Sequence, residues 1–343
     1  MDVRASDRPS GVVAHDDTWP GAGRAGATAR AAGTAPNAVL SAAMPAWIGG
    51  FRPLRRLRVG PLAEVFLARR HDDAAPVQLA AIKRIQPSLL HIEEARSLFA
   101  HEAELLARCD HPSIPRGVEL GAALGEGWFA TELVRGHSLV ETVRRAEQLG
   151  LRVPLRHALA IIASLAEALD HLHALVDDHG APLGAVLTGV TPTNVTLGDE
   201  GLVTLADLGA ARSALRPLTM RGRPPVGPVS YMSPEQSRGE ALDRRSDVYS
   251  LGVLLWELCT WSRIHPRLGA EQVLARVAIG AVPLPSTVRA DVPAELEDVL
   301  MIALQPSAQR RFATAGELAR ALRRLAGPAD PRGQSAWIRR VFN

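Results

Sequence analysis

The run DVYSLGVLLWEL, residues 247–258, is apolar on nearly every side of the helix that its composition favours. A helix with no polar face must be enclosed, so it needs a layer of other helices around it. The sequence supplies them. Ala158, Ile161, Ile162, Leu165, Leu169 and Leu172 recur at helical spacing, and ELEDVLMIAL (295–304) and AGELARALRRL (315–325) read as two later helices. With 343 residues, 47% of them hydrophobic, the chain is long enough to bury such a core.

Upstream the pattern differs. From Phe51 to about Leu133 the runs RRLRVG, AEVFLARR, VQLAAIKRI and GWFATELV alternate like strands, interrupted by one helical stretch, EEARSLFAHEAELLARC. No internal repeat is visible. The expected organisation is one unit at 49–326, with a small β-rich part at about 49–133 and a helical part at about 134–326. Residues 1–48 are rich in Ala, Gly, Arg, Pro and Asp without apolar periodicity, which predicts a disordered tail, with Met44 as an alternative start. Residues 327–343 open with Gly and Pro and predict a second tail. Its Trp337, Ile338, Val341 and Phe342 either pack a frayed end onto the helical part or form a docking peptide.

Several classes drop out. No run approaches the ~18 apolar residues of a membrane span, and no secretion signal is present. The two cysteines, Cys109 and Cys259, lack metal-ligand spacing, as expected of a reduced cytoplasmic protein. A net charge of +3 without a clustered basic stripe does not predict a nucleic-acid partner.

Among the 39 basic residues Lys83 is the only lysine, and the other 38 are arginine. An ammonium is a compact point charge, whereas guanidinium is a broad fork, so a site that keeps lysine against this bias needs the smaller shape. Ala81 shares its strand face. On the following helix Glu102 has Phe99, Leu105 and Leu106 at i−3, i+3 and i+4, which turns it inward. A single inward carboxylate and a single lysine predict an ion pair.

From about Phe51 to Leu325 the sequence resembles a bacterial-type Ser/Thr protein kinase domain. AAIK (80–83) resembles the strand of the phosphate-binding lysine, with Glu102 as its helix-C partner, and ATELV (130–134) resembles the hinge, with Thr131 as gatekeeper. DLG (207–209) resembles the metal-binding DFG motif. SPE (233–235), SDVYSLGVLLWE (246–257) and QRRF (309–312) resemble the APE segment, helix F and the late arginine. The resemblance implies an α+β, two-lobed protein kinase fold, with a small β-rich N-lobe carrying helix C and a larger helical C-lobe. It implies ATP and Mg2+ as cofactors, with Asp207 and Asn194 as metal positions. Val65 and Ala81 would roof the adenine, the backbone of Glu132 and Val134 would meet it at the hinge, and Gly60 would lie over the phosphates. Glu235 and Arg310 would form a buried structural pair, and Asp247 would anchor the catalytic-loop backbone.

Three departures cluster at the transfer step. Aligned on TPTN, the stretch GAVLTGVTPTNVTL (184–197) puts the family's His-Arg-Asp on Leu187, Thr188 and Gly189, so the catalytic aspartate is a glycine. The Gly-rich loop reads RVGPLAEV (58–65): its three glycines fall on Arg58, Gly60 and Ala63, and Pro61 brings no N–H to the tip. Pro228 follows Gly227 where many such kinases carry a threonine. Asp177 and Asp178, just ahead of the loop, are weak candidates to replace the lost acid. With Thr188 in place of an arginine, the segment holding Ser213, Thr219 and Ser230 is not expected to depend on phosphorylation for its order.

The expected function is therefore a pseudokinase that keeps Mg–ATP contacts and acts through its shape on signalling proteins. The alternatives are a slow but active Ser/Thr protein kinase and a nucleotide-free scaffold.

Overall fold

The computed structural model describes residues 12–13, 44–71, 78–121, 127–215, 227–265 and 268–343. The predicted N-terminal tail lies almost wholly outside the described residues, as does Thr219. Five strands form an antiparallel sheet: β1 (Phe51–Val59), β2 (Ala63–Arg70), β3 (Leu79–Ile85), β4 (Gly117–Leu120) and β5 (Trp128–Glu132). Their spatial order is β1-β2-β3-β5-β4. Strand alternation divides the residues between two faces. Phe51, Phe66, Ile82 and Trp128 gather on one face as a small apolar cluster. Ile48, one residue before the expected boundary, is buried in that cluster and exchanges backbone hydrogen bonds with Phe51 at 3.0 and 3.1 Å.

The opposite face of the sheet carries Val65, Ala81, Lys83 and Thr131. Helix α1 (Glu93–Arg108) crosses on this side, with Phe99 against Phe129 at a ring-centroid distance of 5.1 Å. Glu93 and Glu94 in its first turn and Arg108 in its last complement the helix dipole, although Ile92 at the N-cap offers no side-chain acceptor.

The second lobe begins with a small sheet of β6 (Gly136–Ser138), β7 (Val195–Gly198) and β8 (Val203–Leu205). Between its first two strands run α2 (Leu139–Gln148) and α3 (Leu155–His173). After it come α4 (Pro234–Ser237), α5 (Arg245–Thr260), α6 (Ala270–Ala278), α7 (Pro285–Val288), α8 (Ala294–Ala303), α9 (Ala315–Ala326) and α10 (Pro331–Phe342). As the all-apolar pattern requires, α5 is buried at every position from Ser246 to Thr260, packed by α3, α8 and α9. Its Trp256 indole N–H, which needs a partner in that interior, donates to Pro283 O at 2.9 Å.

The end of the chain packs onto the helical lobe as expected, but as the full helix α10 rather than a frayed tail. Its N-cap Asp330 accepts from Gly333 N at 2.8 Å, Pro331 stands in its first turn, and Trp337, Ile338 and Val341 are buried. The Gly327 and Pro residues that read as breakers end α9 and start α10. The helix packs on α2 and on the β7–β8 turn, where Gln334 Nε2 donates to Gly201 O at 3.0 Å and the Ser335 hydroxyl donates to Asp199 O. Phe342 stacks on His137 at 3.4 Å, directly after the segment joining the lobes.

Candidate functional site

Strand register builds the site's upper wall. Arg58 on β1 lies opposite Val65 on β2, and Val65 lies opposite Lys83 on β3. Ala81 lies opposite Leu67 on one side and Thr131 on the other. Directly opposed residues share a face, so these side chains form two parallel rows over the cleft between the lobes.

Lys83 is where the charges meet. Its Nζ is 2.6 and 2.7 Å from the two carboxylate oxygens of Glu102 and 3.0 Å from Asp207 Oδ1. Glu102 reaches it because the apolar face of α1 turns inward, leaving the carboxylate almost fully buried. Asp207 arrives on the loop after β8, and its Oδ1 also accepts from Gly209 N at 3.0 Å. A Cβ at 209 would lie 2.9 Å from Glu102 Oε2 and 3.0 Å from Asp207 Oδ1, so a side chain there would press on both carboxylates.

The two carboxyls respond in opposite directions. Burial pushes Glu102 up to about 7 against the pull of Lys83. Burial also acts upward on Asp207, but Lys83, Arg58 and the Gly209 N–H outweigh it and hold this group at about 2. The ammonium of Lys83 loses solvation, yet its two carboxylates more than compensate and keep it charged.

Below this cluster runs the loop 184–197. The Asp247 carboxylate, fully buried at the start of α5, accepts from Leu187 N and Thr188 N, each at 2.8 Å, and lies 2.8 Å from His173 Nε2. Thr188 takes φ +65°, a conformation that costs a β-branched residue roughly 1–3 kcal/mol and persists only where the surroundings dictate it. Its own groups add to the restraint: its hydroxyl donates to Ala210 O at 2.9 Å and its carbonyl accepts from Gln236 Nε2 at 2.6 Å. At Gly189, by contrast, a Cβ would meet nothing within 4 Å. The backbone of the loop is built, and the space beside Gly189 is open.

Asn194 closes the 3-10 turn Pro192–Asn194. Its Nδ2 donates to Gly189 O at 3.1 Å and its Oδ1 accepts from Thr191 N at 2.9 Å. One carboxylate and one amide oxygen fit a hard divalent cation only if phosphate oxygens and water complete its shell. Among the described residues no group of three or more His, Cys, Asp or Glu is placed to hold a metal without such help. At the hinge, Glu132 N donates to Arg116 O at 3.0 Å as the ladder ends, and Leu133 to Arg135 run free of it. At the Gly-rich position, Gly60 N donates to Ala63 O at 2.8 Å.

Glu235 does not pair with Arg310. Arg311 Nη1 and Nη2 donate to its two oxygens, each at 2.7 Å, while Arg310 is exposed. The 3-10 turn Ala308–Arg310 ends just before Arg311, whose extended backbone directs it inward. Asp177 and Asp178 are committed elsewhere: Asp177 accepts from His179 N and Ala181 N, and Asp178 pairs with Arg108 at 3.3 Å. Two contacts escape a reading of motifs. His101 on α1 lies 2.8 Å from Ser213, tying that helix to the segment after DLG. Arg58 Nη1 lies 3.5 Å from Asp207 Oδ2, although position 58 reads only as a lost glycine.

A five-stranded sheet with one helix, a helical lobe, and a Lys–Glu–Asp cluster between them define the architecture of a protein kinase. The family model for protein tyrosine and serine/threonine kinases matches residues 52–320, and the chain belongs to this family, in its bacterial type. It is 33% identical over 274 residues to the tyrosine-protein kinase MasK of Myxococcus xanthus, covering 80% of this chain and 42% of that protein. It is 31% identical over 280 residues to the serine/threonine-protein kinase PknJ of Mycobacterium tuberculosis, covering 79% and 44%. The chain thus spans less than half the length of these relatives. The crystal structure of the Mycobacterium tuberculosis PknI kinase domain superposes with a TM-score of 0.60 at 27% identity, covering 82% of this chain and 99% of that one. Kinases of this family use ATP and Mg2+. Among the described residues no helix is long and apolar enough to cross a membrane.

Proposed function

We propose that this chain is a pseudokinase module, which binds ATP in the interlobe cleft and acts through its shape on a signalling partner in the cytoplasm. The observation that carries this reading is the contrast between two sites. The Lys83–Glu102–Asp207 cluster is assembled at hydrogen-bonding distances, while position 189, where a hydroxyl's proton would be taken up, is a glycine facing open space. Lys83 would hold phosphates, Val65, Ala81 and Thr131 would line the adenine, and the backbone of Glu132 and Val134 would face its edge. Asp207 and Asn194 would hold Mg2+, which supplies charge neutralisation between phosphates when bound. Removing a positioned base costs roughly 10²–10⁴ in rate, and kinases turn over at roughly 1–100 per second, so a slow transferase is the reading to be tested against.

Thermal unfolding with Mg–ATP, run beside a single-turnover assay with labelled ATP, separates the two. The pseudokinase reading expects a stabilising shift that Lys83→Ala abolishes, with no transfer by the natural chain. It further expects that Gly189→Asp, whose side chain has room, restores measurable transfer. Stoichiometric transfer by the natural chain, dependent on Asp207, identifies the slow enzyme. The absence of any ATP-dependent shift identifies a nucleotide-free scaffold.

A further inference from the structure

We propose that Arg58 can take the part of a divalent cation in this cleft, so that the chain does not need a metal ion to bind a nucleoside triphosphate. This rests on the nucleotide-binding reading above. Arg58, Val65 and Lys83 lie opposite one another on three adjacent strands, so the guanidinium and the ammonium face the same cleft in one row. The guanidinium reaches across it: Nη1 stands 3.5 Å from Asp207 Oδ2. That oxygen is the one left over once Oδ1 has accepted from Lys83 and Gly209, and it is the one Asp207 would have free to offer a metal. A cation that belongs to the chain already stands beside that oxygen.

The loop around Arg58 points the same way. A Gly-rich loop holds phosphates with its main-chain N–H groups, but here the Gly60 N–H is spent on Ala63 O and Pro61 has none. Gln86 Nε2 further fastens the tip by donating to Gly60 O at 2.5 Å. With Gly60 and Pro61 offering no free N–H and a guanidinium placed at the same edge, anion binding shifts towards the side chain. The planar fork of arginine matches two phosphate oxygens at once. Its present tie to Asp207 is long and its side chain is 49% exposed, so an incoming phosphate can draw it away without breaking a buried pair.

The test titrates the intact chain with ATP in EDTA and again in excess MgCl2, followed by thermal shift and calorimetry. The expected result is binding in EDTA comparable to that in magnesium. Arg58→Ala should weaken binding in EDTA by roughly tenfold or more, the loss of a charge-assisted contact, and by less in magnesium, where the metal refills the position. Arg58→Gln serves if the alanine variant does not fold. Binding only in magnesium, or binding in EDTA that both variants retain in full, overturns this inference and leaves the nucleotide-binding reading standing. No binding in either buffer overturns that reading and this inference with it.

Discussion

Arg310 and Arg311 are neighbours of identical charge, yet one is exposed and the other lies against Glu235 and over the Tyr249 ring at 4.9 Å. Removing Arg311 strands a buried carboxylate, and breaking such a pair typically costs about 3–5 kcal/mol. Arg310→Ala, a surface change, should stay within about 0.5 kcal/mol. Urea unfolding of the two variants checks the assignment, and equal costs would refute it. The motif QRRF located this pair to within one residue and no closer, because the choice depends on where a 3-10 turn ends. Lys83 and Glu102 were fully legible, since composition singled out one and helical spacing turned the other inward. Arg58 was legible only as a missing glycine: alternation assigns its face, but not how far a long side chain reaches across a cleft.

Among the elements, four strands of the five-stranded sheet follow from alternation and α5 from a run with no polar face, whereas β4, four residues long, is too short to show a period. Helix α10 does not follow from its pattern either, because Gly327, Pro328 and Pro331 read as a broken end when Asp330 and Pro331 are a start signal. Its docking imposes a requirement far away in sequence. Gly201, in the β7–β8 turn at φ +84°, leaves no room for a side chain: a Cβ there would lie 2.3 Å from Pro331 O. Gly201→Ala should therefore lift the start of α10, at a cost of about 1–3 kcal/mol for the strained backbone alone. Hydrogen exchange should then speed up across residues 331–342 while α5 stays protected. Unchanged protection in α10 would show that Gly201 serves the turn and nothing more.

For the whole molecule, the charged cluster makes stability depend on pH in two opposed ways. Glu102, pushed up to about 7 from an ordinary 4.5, binds its proton more tightly in the folded chain, so its contribution falls as pH rises between those values. Asp207, held at about 2 against an ordinary 3.8, stabilises the fold above its ordinary value, and that contribution is lost as pH drops towards 2. Unfolding free energies measured from pH 5 to 7.5 should decline more steeply for the natural chain than for Glu102→Gln. Parallel curves would show that Glu102 is already charged at pH 5.

The vacant space beside Gly189 has a consequence beyond chemistry. The loop that would carry an aspartate is already bent, anchored and hydrogen-bonded, and some glycine codons become aspartate codons by one base change. On the pseudokinase reading the missing aspartate is a single mutational step away, while Arg58 and Pro61 in the Gly-rich loop and Pro228 would still stand apart from the family pattern.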